Sequence, residues 1–281
     1  MSDAPDILQA KAIANPRLWR LGMLLDAGAS TLDVVAVSTV ADEPMLCRSI
    51  ELQQGVEPLR ALEEAVYDNP LLLADFDAVT LLVSTPQFSV LPAAVASEPE
   101  SVDAAASLLW PRPEHKQALV ATPVGGTGAA VLTTLPADVR AFIGRTFPEA
   151  RVMHVLVPEL SYFAAKRRAG SAPCVCAVAS TGGVDLMAFG SEARLLGATS
   201  YRCTAADDMA YYAAALAQVC GIAGGTTQFC VAGTEAPRGA LVEALRAFAP
   251  HVTEWTIPAG MPAEGATPDT PFPLIILPLC E

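Results

Sequence analysis

The chain has 281 residues, 52% of them apolar and 17% charged, with a formal net charge of -13. That composition excludes a disordered chain and supplies apolar material for one large domain or two ordinary lobes, of which two lobes is the preferred reading. A surface of this sign repels a phosphate backbone, which argues against nucleic acid as a partner, and no apolar run reaches the roughly 18–20 residues of a membrane span.

Residues 1–16 show no clear periodicity and read as a tail or edge element. Their lack of a basic segment followed by an apolar one predicts a cytoplasmic protein without a signal peptide. Alternation and β-branched residues predict strands at 18–26, 30–38 and 44–52, an antiparallel meander with turns at 26–30 and 41–43. Residues 57–68, with leucines and Val66 at helical spacing, predict a helix ended by Asn69 and Pro70. The continuous apolar run at 77–84 predicts a buried strand reached by a crossover. Pro86 and Pro92 bound an extended segment, and residues 93–109 read as helical with an interruption at Pro99. Strands at 116–123 and 128–135 predict a hairpin around Gly125, Gly126 and Gly128. A phosphate cradle needs a helix after its glycines, and here a strand follows. A helix at 136–147, a strand at 151–157 and a helix at 158–168 lead to a break at Ala169, Gly170 and Ser171. The basic Lys166, Arg167 and Arg168 suit the negative end of that last helix.

The second half repeats the plan. Strands at 174–179, 184–189 and 194–202 precede a helix at 205–220, with Asp207 and Asp208 in its first turn. A strand at 226–232, a helix to residue 248, a strand at 252–257 and a last apolar strand at 272–279 follow. The order β-β-β-α-β-α-β thus occurs twice. It divides the chain into residues 1–170, with an insertion at about 86–135, and residues 171–281.

Few residues stand out as chemistry. Seven cysteines, an odd number without framework spacing, point to reduced and mostly buried thiols. Cys174 and Cys176 share one strand face, as a metal or redox pair or as packing residues, with packing preferred. His115, His154 and His251 are isolated from one another and from any H-E-x-x-H pattern, and no nucleophile elbow is present. The turn residues are more telling: Asp26, Gly28 and Ser30 after the first strand, Ser180, Thr181, Gly182 and Gly183 after its counterpart, and Gly233 and Thr234 before the last long helix.

Two copies of this element order resemble the actin-like ATPase superfamily, with its ribonuclease H-like lobes, which includes actin, sugar kinases and the Hsp70 nucleotide domain. The resemblance implies an α/β fold of two lobes, each with a mixed five-stranded sheet flanked by helices. In that superfamily the first hairpin of each lobe grips phosphates and metal. Asp26, Gly28 and Ser30 resemble the first hairpin with its hydroxyl one place late. Thr181, Gly182 and Gly183 take the place of the second without its acid, and Gly233 and Thr234 resemble an adenosine motif with one glycine where the superfamily has two. The resemblance therefore implies a candidate nucleotide site of Asp26, Gly28, Ser30, Thr181, Gly182, Gly183, Gly233 and Thr234, with Asp26 as the metal candidate. More specifically, residues 83–92, Leu135 and Pro136 opening a helix, and Phe147, Pro148, Glu149 and Ala150 leading into Val155 resemble a bacterial family known as domain of unknown function 3822, over about residues 21–277. That family brings a fold and no activity. The missing acid, with few lysines or arginines near the turns, implies that ATP and Mg are not tightly held. The expected function is a non-enzymatic interaction or scaffold protein, without a cofactor and with another protein as its partner. The alternative is an ATP-binding switch, ATPase or kinase with a modified inter-lobe site.

Overall fold

The computed structural model describes residues 13–26, 30–40, 43–110, 117–168, 170–192, 194–255, 263–264 and 266–280. Residues 1–12, Gly28, the turn residues Ala41 and Asp42, His115, Ala169 and the end of the predicted 252–257 strand lie outside the described residues.

The first meander forms as its alternation requires: β1 (Trp19–Asp26), β2 (Thr31–Ser38) and β3 (Met45–Glu51) pair antiparallel in chain order. Helix α1 (Pro58–Tyr67) starts where Pro58 lacks no needed donor, and the Glu57 carboxylate accepts the Leu59 and Arg60 amides, both at 3.2 Å. β4 (Ala78–Ser84) returns parallel to β1. Next come β5 (Phe88–Pro92), α2 (Ala93–Ala96), α3 (Pro99–Leu109), β6 (Gln117–Val124) and β7 (Ala129–Pro136), which build a separate three-stranded sheet in the order β5-β7-β6. Residues 125–128 turn β6 back into antiparallel β7, so they form a hairpin and not a strand-to-helix phosphate loop. Helix α4 (Ala137–Thr146) leads to β8 (Arg151–His154), parallel to β4, and then to α5 (Leu156–Ala165).

The strand expected over 151–157 stops at His154. The reason is the imidazole: Nε2 donates to the Thr85 carbonyl at 3.0 Å, leaving Nδ1 to accept the Leu156 amide at 3.2 Å and open the helix. Burial lowers the His154 pKa to about 4 against the opposing Thr85 bond, so the ring is neutral across the physiological range.

In the second half β9 (Cys174–Ser180), β10 (Gly183–Phe189) and β11 (Leu195–Tyr201) form the equivalent meander. Helix α6 (Ala206–Val219), β12 (Gln228–Gly233), α7 (Glu235–Arg246) and β13 (Val252–Glu254) complete the repeat. The order β11-β10-β9-β12-β13 matches β3-β2-β1-β4-β8 strand for strand, with the same antiparallel and parallel pairings. The duplicated actin-like α/β fold is therefore present. One difference is an added edge: β14 (Ala263–Glu264) pairs parallel with β3 and makes the first sheet six-stranded.

The last apolar run is not the strand its composition suggests. It is a helix, α8 (Phe272–Ile276), followed by a 3-10 turn at Leu277–Leu279. Pro273 lies in the first turn, where a missing N–H costs nothing, and a helix buried all round shows the same unbroken apolarity as a buried strand. α8 and the turn after it lie between the sheets: Leu274, Ile275 and Leu277 pack with Leu24, Val35 and Leu82 of the first, while Phe272 and Ile276 pack with Cys174, Val178 and Phe189 of the second. α5 shares this layer, and its Tyr162 hydroxyl accepts the Trp255 indole N–H at 2.6 Å. Helices α1 and α4 cover the opposite face of the first sheet, and α6 and α7 that of the second. Coverage on both faces explains why β9 reads as continuous apolar sequence.

Candidate functional site

β1 ends at Asp26, in register with Ser84 at the end of β4. The carboxylate is about one-third exposed, and its Oδ1 lies 3.9 Å from Arg202 Nη2, just beyond β11. This ion pair joins the turn end of one half to the other. The sequence reading expected few cations near the turns, and the chain crossing supplies one. Two more carboxyls gather behind it. Asp185, on β10, accepts the Ser200 hydroxyl, and its pKa is pushed to about 6, chiefly by burial and further by the Asp26 charge, against the Ser200 bond. Glu159, on α5, is fully buried with neither carboxyl oxygen partnered. Burial, and then the nearby Asp185, raise its pKa well above the usual carboxylate range. Ser30 is exposed, and its carbonyl accepts the Leu52 amide at 2.8 Å.

In the second hairpin Thr181 and Gly182 form an exposed two-residue loop between paired Ser180 and Gly183. The Ser180 hydroxyl donates to the Gly183 carbonyl at 3.3 Å. A Cβ at Gly183 would lie 2.1 Å from the Tyr201 carbonyl oxygen, so only glycine lets β11 pass.

β12 ends at Gly233, at φ +118°, where a Cβ would fall 1.9 Å from the Ala179 carbonyl oxygen. The backbone groups of this turn are engaged inside the chain. The Thr234 amide donates to Ala179 O at 3.0 Å and the Glu235 amide to Pro268 O at 2.9 Å. Arg238 donates to the Gly233 carbonyl at 2.9 Å and to Glu254 Oε1 at 2.8 Å. The Thr234 hydroxyl is buried without a partner.

The structure thus brings Asp26 beside Arg202 and within electrostatic reach of Asp185, and places Gly233 and Thr234 against the strand that leads into Thr181. Asp185, Glu159 and Arg202 escaped sequence reasoning. Glu159 left one signal, a lone acid in the apolar helical run 156–165. A cavity of about 430 Å³ opens on the first-half side of Asp26, walled by Leu24, Leu62, Val83, Gln87 and Leu135.

All seven cysteines stand outside any disulfide, three of them buried. Cys174 Sγ and Cys176 Sγ are 3.7 Å apart, far from the ~2.05 Å of a disulfide. Cys230 faces Cys176 across the parallel pair, inside the apolar layer. Among the described residues no group of three or more His, Cys, Asp or Glu is placed to hold a metal, and no helix is long and apolar enough to cross a membrane. Thiol titration of the denatured protein without reductant should recover all seven cysteines; five or fewer from freshly purified, oxygen-excluded protein would contradict the reduced assignment.

Comparison with solved structures agrees with the topology. A protein from Bacteroides thetaiotaomicron VPI-5482 with an actin-like ATPase fold and unknown function is 16% identical. It covers 96% of this chain and 98% of its own, with a TM-score of 0.77. The PilM-PilN type IV pilus biogenesis complex matches at 13% identity over 95% of this chain and 100% of the other, with a TM-score of 0.61. No curated protein matches the chain by sequence. The family described as Protein of unknown function (DUF3822) matches residues 20–252, and the chain belongs to it.

Proposed function

We propose that this chain is a protein-interaction body, in which the elements that hold nucleotide in the actin-like frame serve internal contacts. The observation that carries this reading is the β12–α7 turn. An adenosine site needs a glycine turn that a base or ribose can approach and a helix N-terminus with free amides. Here the Gly233 backbone approaches Ala179 instead, its carbonyl is held by Arg238, and the Glu235 amide donates to Pro268. Thr181 and Gly182 read as an ordinary tight hairpin, and Asp26 already has a cation, Arg202, at 3.9 Å. The residues present are a poor fit for ATP and Mg. The similarity in fold to a chain of the PilM-PilN type IV pilus biogenesis complex is in keeping with a protein partner.

Calorimetry with Mg-ATP tests the reading. The expected result is no saturable heat at millimolar nucleotide. Micromolar binding that disappears in Asp26→Ala would overturn the scaffold assignment and restore a nucleotide switch.

A further inference from the structure

An edge strand of the three-stranded sheet, β5, and an edge strand of the second sheet, β11, line the same groove. Among the described residues β5 pairs only with β7, and β11 only with β10. Phe88, Val90 and Pro92 of β5 and Leu195, Ala198 and Ser200 of β11 are among the walls of a cavity of about 610 Å³.

The hydrogen-bond parity shows which groups face that groove. In an antiparallel pair, alternate residues bond to the neighbour and the others point their N–H and C=O away. The Thr134 amide donates to Gln87 O and the Ala93 amide to Gly128 O, so Gln87, Ser89 and Leu91 bond toward β7. Phe88 and Val90 therefore present their N–H and C=O to the groove. On the other side the Thr234 amide donates to Ala179 O and the Gln228 amide to Pro173 O, so odd-numbered β9 residues bond toward β12 and even-numbered ones toward β10. Carried across the registers of β9 with β10 and β10 with β11, this turns Gly197, Thr199 and Tyr201 toward β10 and leaves Ala198 and Ser200 outward.

A cleft with unpaired backbone donors and acceptors on two strand edges is complementary to one thing above all, another extended backbone. We propose that the groove between β5 and β11 binds an extended polypeptide segment of a partner protein, which pairs with Phe88 and Val90 on one edge and with Ala198 and Ser200 on the other. The bound segment would join the three-stranded and five-stranded sheets. This rests on the protein-interaction reading and names its site. The residues lining the groove are apolar or small and neutral apart from Arg194, so the matching segment is uncharged except for one acidic side chain at the Arg194 end.

The probe is a library of seven-residue peptides with alternating apolar and polar residues and a single Asp or Glu, tested on the full chain. Binders should slow hydrogen exchange at the Phe88, Val90, Ala198 and Ser200 amides more than elsewhere. Val90→Pro and Ala198→Pro delete an outward N–H without touching the β7 or β10 ladder, and each should weaken binding at least tenfold. N-methylation of alternate peptide residues should do the same with the protein unaltered, which keeps the test valid if a proline variant misfolds. A library without binders, binding indifferent to these changes, or protection of the four amides by self-association would overturn the groove assignment. A protein partner whose binding survives Val90→Pro would also sink the groove, yet leave the interaction reading intact; Asp26-dependent binding of Mg-ATP is the separate result that removes that reading.

Discussion

Gly233→Ala is expected to lower stability by about 2–6 kcal/mol, the sum of about 1–3 for overpacking and about 1–3 for a non-glycine residue held at unfavourable φ. The new Cβ would sit 1.9 Å from Ala179 O and 2.6 Å from Ala179 N, so the obstacle is backbone and not the movable end of a side chain. Relief would require prising β12 from β9, which carry the centre of the second sheet. Against a typical total of about 5–15 kcal/mol, such a loss is a large share of the stability and lowers the denaturation midpoint clearly. Gly182→Ala is the control: its nearest contact would be the Ser180 hydroxyl at 3.9 Å, and the change should cost under about 1 kcal/mol. Urea denaturation of both variants checks the contrast. A Gly233→Ala protein with the parent's midpoint would show that this glycine is not retained for packing and would reopen a ligand role.

Glu159→Met should stabilise the protein, and more at pH 7.5 than at pH 4.5. The carboxyl is fully buried with both oxygens unpartnered, an arrangement that costs about 1–3 kcal/mol for the neutral group and more for the ionised one. Its folded pKa is raised well above the unfolded value of 4.5. Below pH 4.5 both states are protonated. As pH rises above 4.5 the unfolded chain releases its proton first, so stability falls with increasing pH until the folded carboxyl also ionises. Asp185 adds a fall of the same sign between pH 3.8 and about 6, and neutral His154 opposes it with a rise between about 4 and 6.5. Met fills the space with an unbranched apolar chain and removes the Glu159 contribution. Denaturation midpoints at the two pH values should therefore differ less in the variant than in the parent. An equal gain at both would show that packing, not the ionisable group, is responsible.

The strands, most helices and the duplicated order were legible in the sequence because turn residues and apolar periodicity are local signals. Asp26 and Ser30, and Ser180 to Gly183, announce hairpins through their own backbone preferences, and Pro99, by the donor it lacks, marks the interruption that separates α2 from α3. The C-terminal run 272–279 shows where this fails: unbroken apolarity reports burial on all sides, which α8 meets as a helix between two sheets and a strand would meet as well. Register parity was equally hidden, since whether Val90 or Leu91 turns its amide to the groove depends on the pairing of β5 with β7. The candidate site depended on tertiary structure most of all. Arg202 lies 176 positions from Asp26 along the chain yet 3.9 Å from it in space, and Glu159 is costly only because α5 is sealed between the two halves. Charge pairing, desolvation and facing strand edges are properties of distances between remote segments, and only the packed chain sets those distances.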